Sequence, residues 1–231
     1  MNTPLLSRPV SLFAGTSPRV IRHGTAGEVL EEIRSGKWRD HVEAVRAMEQ
    51  GGARKAKKDS SRGYTFAGSF SRRENERLIE PSGLVCLDYD HLPDVDAVLA
   101  RLRPVPYVFA AWRSISGDGI KLLVSVTPAP ETPNEYTAAW RRAVGALAAY
   151  VGAPVDAGTK DVSRLSYTSY DPTLYVNPAA LPLDVSEPSP PLPPQSPVAP
   201  PRSGAHAFPF RSVAHRGRAC DAEGDTGPAP A

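Results

Sequence analysis

Cysteine is almost missing from this chain, with two in 231 residues. Cys86 lies in an apolar run and Cys220 near the end. Two such residues make no disulfide framework, so a reducing cytoplasm is the expected setting. There is no Cys-x-x-Cys pair, and the five histidines show no ligand spacing, which argues against a zinc site. No apolar run approaches the roughly 20 residues of a membrane span. The charged, apolar, small-residue order of a secretion signal is absent from the N-terminus. So are a Walker loop ending in Gly-Lys-Ser/Thr, a serine-hydrolase elbow and any internal repeat. A strong excess of one charge is lacking too, because net +2 is too small for bulk attraction to nucleic acid.

What is present is a core-forming fraction of 41% hydrophobic residues, enough for one substantial domain. The 25 prolines gather toward the end. The chain divides by pattern into an N-terminal extension of helices and a strand (1–80), a regular α+β stretch (81–185) and a tail (186–231). The tail is dominated by Pro and Ser and then by small polar residues, and is expected to be disordered.

Within the extension, Val10-Ser11-Leu12-Phe13 suits a short strand. Thr25 to Glu28 forms a capping-box pattern before a helix that Ser35-Gly36 ends. A second helix is expected near 39–49, stopped by Gly51-Gly52. Arg54, Lys55, Lys57 and Lys58 form a basic run. Such runs are mostly solvated faces and less often contact phosphate. Tyr64 to Phe70 alternates and predicts a single strand, followed by Arg72 and Arg73.

The next hundred residues carry the clearest pattern. Leu84-Val85-Cys86-Leu87 leads into Asp88-Tyr89-Asp90, a buried strand that ends in two acids on the same side. Asp94 caps a helix to about 103. Strands follow at 107–113 and 120–126, joined by the Gly-rich turn 114–119. Thr132-Pro133-Asn134-Glu135 starts a helix that Gly152 ends. Val162 to Tyr170 alternates as a fourth strand. The order β-α-β-β-α-β is that of ferredoxin-like, RRM-like domains. The third strand then lies antiparallel between the first and second, both helices cover one face, and the other face is open for ligands.

That topology gathers Asp88, Asp90, the turn 114–119 and Asp156 at one end of the sheet. Paired carboxylates at a strand end suit a divalent cation with oxygen ligands, or are simply solvated acids where the strand leaves the core. In Ser116-Gly117-Asp118-Gly119-Ile120-Lys121 the glycines and Lys121 suit phosphate, although Asp-Gly is also ordinary turn chemistry. Lys121 reads otherwise as a snorkelling lysine, and Arg164 as either a phosphate contact or an ion-pair partner.

Taken together, the strand ending Leu-Asp-Tyr-Asp, the segment Ser114 to Lys121 and the segment Val155 to Pro172 resemble the VirE-type N-terminal domain of bacterial mobile elements and phages. Arg34 to Trp38 and Phe66 to Phe70 resemble it as well. That domain is similar to the primase-polymerase (archaeo-eukaryotic primase) superfamily, and the likeness covers roughly 10–185. It implies a palm that performs metal-dependent nucleotidyl transfer from nucleoside triphosphates on single-stranded DNA or a primer-template, in replication, with Mg²⁺ or Mn²⁺ as cofactor. Asp88, Asp90 and Asp156 would be catalytic and hold the metal. Ser116, Gly117, Gly119, Lys121, Lys160 and Arg164 would bind the nucleotide. A helicase would be encoded separately. Catalytic primases carry a histidine where this chain has Lys121, so the alternative is a non-catalytic nucleotide or single-strand binding module on the same palm.

Overall fold

In a computed structural model, residues 4–186 are described, and the Pro-rich tail expected over 186–231 lies, apart from Ser186, outside them. Around the best-patterned stretch stands a sheet of β6 (Leu84–Tyr89), β7 (Val108–Arg113) and β8 (Ile120–Thr127). As expected, β8 runs antiparallel between β6 and β7. Two short strands extend the sheet: β10 (Tyr175–Val176) pairs with β7, and β11 (Leu183–Asp184) runs parallel to the end of β8.

Helices α4 (Val95–Leu102) and α5 (Pro133–Val151) cover one face. Asp94 accepts the Ala97 N–H at 2.9 Å to start α4. Thr132 and Glu135 form a reciprocal capping box on α5. Val98, Leu102, Tyr136, Trp140 and Leu147 from these helices share one apolar cluster with Val85, Leu87, Leu122 and Val124. Each large side chain so enclosed contributes about 1.5–3 kcal/mol.

The opposite face is not open. It carries Leu84, Cys86, Trp112 and Leu123, which pack in one cluster with Val10, Leu12, Leu30, Ile33, Tyr64 and Phe66 from the N-terminal part. That part forms a second antiparallel sheet in the order β2 (Val20–Thr25), β1 (Pro9–Ala14), β3 (Arg62–Thr65), β9 (Ser166–Tyr167). Its helix α1 (Ala26–Ser35) begins at the foreseen Thr25–Glu28 capping box and ends at Gly36. The alternation that signals β6 as half-polar at its end says nothing about which element covers that side, and here the N-terminal residues do.

Three further expectations change. The strand read over 64–70 is two strands in different sheets, β3 and β4 (Gly68–Phe70); β4 pairs with β5 (Leu78–Pro81). The fourth strand of the βαββαβ order, read over 162–170, contracts to β9, and β9 pairs with β3 rather than β6. The second helix is shorter, α2 (Arg39–Arg46), and Gly52 opens a third, α3 (Gly52–Asp59), out of the basic run. The described residues are therefore mixed α+β, with five helices and largely antiparallel sheets, and none of these helices is long and apolar enough to cross a membrane.

Candidate functional site

Asp88 is the last-but-one residue of β6, on the face that meets the N-terminal sheet. In the ladder it stands opposite Lys121, and the lysine ammonium forms an ion pair with Asp88 Oδ2. Asp88 Oδ1 is buried and has no hydrogen-bond partner. Asp90 follows just beyond the strand, exposed at the mouth of the cleft. Partial desolvation first, then the neighbouring Asp88, raise its carboxyl above the ordinary aspartate value.

Asp156 arrives from the far end of α5. Its backbone N–H donates to Asp88 O at 2.8 Å, which ties the segment directly to β6. Trp140 Nε1 on α5 donates to Thr159 Oγ1 at 2.8 Å, and Thr159 Oγ1 donates to Asp156 O at 2.7 Å. The Asp156 carboxylate accepts Gly158 N–H through Oδ1 and Arg164 through Oδ2, both at 2.8 Å. The three acids bring ligand oxygens within 4.8 Å of one another. The expected fourth strand is not needed for this meeting, because a 3₁₀ turn at Ala157–Lys160 delivers the third acid.

The acids line a cavity of about 240 Å³ whose walls also carry Lys58, Arg73, Lys121, Arg164 and Tyr167. Lys121 is buried. Burial alone would lower its pKa, but Asp88, with Cys86 and Asp90, raises it, so it stays charged. Arg73 donates to Thr16 O at 2.6 Å, and burial lowers its pKa.

The remaining predicted nucleotide contacts divide. Ser116 lies in an adjoining cavity, where its carbonyl accepts Arg54 at 2.8 Å and its hydroxyl meets Lys58 Nζ at 3.3 Å. The Gly117 N–H is used inside the turn, donating to Ser114 O at 3.0 Å. Gly119 packs against β6 so closely that a Cβ there would stand 2.3 Å from Tyr89 O. At these two glycines the turn serves close packing and its own hydrogen bonds. Lys160 lies outside both cavities, its carbonyl accepting Thr137 Oγ1 at 3.2 Å. Arg164 is in the cleft, held by Asp156.

Lys58 and Arg73 were not among the expected site residues. The basic run around Lys58 was visible, but its majority reading as a solvated face hid it. Only the fold, which brings α3 to the mouth of a cleft whose acids, Asp88, Asp90 and Asp156, come later in the chain, marks it as part of the site.

The family profile described as BT4734-like, N-terminal domain matches residues 56–176, just over half of the chain. The chain belongs to this BT4734-like family. No curated protein and no solved structure matches the chain. The BT4734-like region takes in all three acids and every cation of the cleft, and leaves β1, β2, α1 and α2 outside it.

The donor set fits a hard divalent cation in type: carboxylate oxygens, one of them a buried orphan. Two of the three acids already hold a cation of the protein, so an incoming ion must share Asp88 with Lys121 and Asp156 with Arg164.

Proposed function

We propose that this chain is a VirE-type, primase-polymerase-like palm domain that transfers nucleotidyl groups from nucleoside triphosphates on a nucleic-acid template, in the replication of a mobile element or phage. The observation that carries the reading is the meeting of Asp88, Asp90 and Asp156, from segments far apart in sequence, in a cleft walled by cations. The β6-β8-β7 strand order with two helices on one face supports a palm.

Asp88 and Asp90 would hold a Mg²⁺ or Mn²⁺ ion, with Asp156 completing the set. When bound, such an ion supplies Lewis-acid stabilisation of charge on the reacting phosphoryl group. Arg164, Arg73 and Lys121 reduce the charge repulsion that a triphosphate would meet at three carboxylates. Covering the sheet face behind the acids with the N-terminal sheet keeps Asp88 and Lys121 away from bulk water, where their fields act more strongly.

Primer extension with labelled nucleotides and Mn²⁺ tests the reading. The wild-type chain is expected to incorporate nucleotide, and the Asp88→Ala/Asp90→Ala variant to lose incorporation; incorporation that survives the double change refutes it.

One observation favours a second reading, a non-catalytic nucleotide or single-strand binding module. Lys121 already occupies one oxygen of Asp88, as a built-in cation would. Chelator-insensitive binding of single-stranded DNA with no incorporation selects that reading.

A further inference from the structure

A second cavity, of about 220 Å³, adjoins the acid cleft and shares Lys58 and Asp90 with it. Its cationic wall is α3, a helix that buries none of its residues. A helix of two turns does not stand on intrinsic propensity, and the usual support is an apolar face against a core. Here the support is polar. Arg54 donates to Val45 O at 3.1 Å and to Ser116 O at 2.8 Å, and Lys58 Nζ reaches Ser116 Oγ at 3.3 Å. These bonds direct both cations to the hairpin turn.

Across the cavity, His91 has a left-handed backbone (φ 55°), a conformation that costs a non-glycine residue on the order of 1 kcal/mol or more. Its Nδ1 lies 2.9 Å from Asp118 Oδ2. Lys55 pairs with Asp59. Among the described residues neither Arg54 nor Lys58 forms an ion pair, although Lys58 acts on Asp59 and Asp90 from a greater distance. A concave site that fixes a guanidinium and an ammonium on backbone and hydroxyl acceptors rather than in ion pairs leaves positive charge for an anion, even with Asp90 and Asp118 in its lining.

We propose that this cavity is a phosphate-binding site, formed by Arg54, Lys55 and Lys58 of α3 opposite His91. It takes a phosphate group of a ligand that continues past Lys58 into the acid cleft. The phosphate site stands on its own geometry; only the position of the ligand's other end rests on the reading of the acid cleft given above. Two sources present the same chemistry, the polyphosphate of a nucleotide and the backbone of a single strand.

Binding is measured on the full chain in EDTA, so that no divalent ion at the acids contributes and no turnover is required. The probes are inorganic tripolyphosphate, deoxyadenosine triphosphate and a short oligothymidylate without terminal phosphates. Lys55→Glu reverses a charge on this cavity alone, at an exposed side chain. Lys57→Glu makes the same change on the same helix outside the cavity. Lys55→Glu is expected to weaken binding about tenfold or more, Lys58→Ala to weaken it similarly, and Lys57→Glu to change it by no more than about twofold. Thermal melting verifies that each variant is folded. Competition by tripolyphosphate against the nucleotide alone assigns a nucleotide source, and competition against the oligothymidylate assigns a strand. Equal losses in Lys55→Glu and Lys57→Glu, no loss in Lys55→Glu, or no binding of any probe would overturn the proposal. Because metal and chemistry are absent from this assay, its failure is separate from failure of the primer-extension test.

Discussion

Lys121 and Asp88 face each other across the β6–β8 ladder and form an ion pair whose side chains are 5% and 16% exposed. A charge this enclosed is tolerable only with its partner. Lys121→Met leaves the Asp88 carboxylate uncompensated and is expected to destabilise the chain by about 2–3 kcal/mol. That is somewhat below the loss of a wholly buried pair, because Asp88 keeps contact with the cleft. Lys121→Met/Asp88→Leu is expected to recover most of it. Urea denaturation reads both, and a double variant as unstable as the single would contradict the pairing. Because Lys121 titrates above its ordinary 10.5 in the fold, its contribution is complete below that value and is lost only as pH rises through the higher one. Neutral-pH measurements therefore see the pair intact.

The same pair competes with a divalent ion for Asp88, as Arg164 does for Asp156. Lys121→Met is accordingly expected to bind Mn²⁺ about tenfold or more tightly than the wild type, and Arg164→Gln to move in the same direction by less, since Arg164 is far more exposed than Lys121. Asp90→Ala is expected to lose Mn²⁺ binding in every background. Calorimetric titration checks the series, and unchanged affinity in Lys121→Met would mean that no ion uses Asp88.

The turn predicts a steric outcome. Gly119→Ala puts a methyl group 2.3 Å from Tyr89 O, so β6 and the turn must separate. A loss of about 1–3 kcal/mol is expected, as for overpacking elsewhere, with a lower melting temperature. Because Tyr89 lies between Asp88 and Asp90, Mn²⁺ binding should weaken as well. An alanine variant that melts like the wild type would show that the turn does not rest on this contact.

Much of this arrangement was legible in the chain. Capping at Thr25, Asp94 and Thr132 is local chemistry, so those helix starts could be read directly. The Asp88 and Asp90 pairing with the turn follows from strand alternation and the antiparallel β7–β8 connection. Asp156 was placed by topology, ahead of the fourth strand, and it caps a 3₁₀ turn with its own N–H on Asp88 O. What could not be read was long-range. Ser166 and Tyr167 alternate in the same way whether they pair with β6 or β3, and short edge strands such as β10 and β11 carry too few residues for a period. The role of α3 was hidden for a related reason: a helix that buries nothing has no apolar stripe to announce it.

Asp90 links the cleft to pH. Its carboxyl is raised above 3.8 by desolvation and by Asp88, against the pull of Lys121, Lys58 and His91. An acid whose pKa is raised on folding favours the folded state while it is protonated, and that contribution is lost as pH climbs through the raised value. Asp90→Asn abolishes this loss. In EDTA the variant should gain stability relative to the wild type as pH rises from below 3.8 to neutrality, whereas an equal offset at all pH values would mean that folding does not raise the Asp90 carboxyl. Adding Mn²⁺ at neutral pH should reverse the order. An ion between Asp88 and Asp90 replaces their repulsion with attraction, and by binding only the folded state it stabilises the wild type while the asparagine variant, lacking the second charge, gains less. Chemical denaturation across pH, with and without Mn²⁺, therefore separates a strained acid pair from one that a cation is meant to relieve.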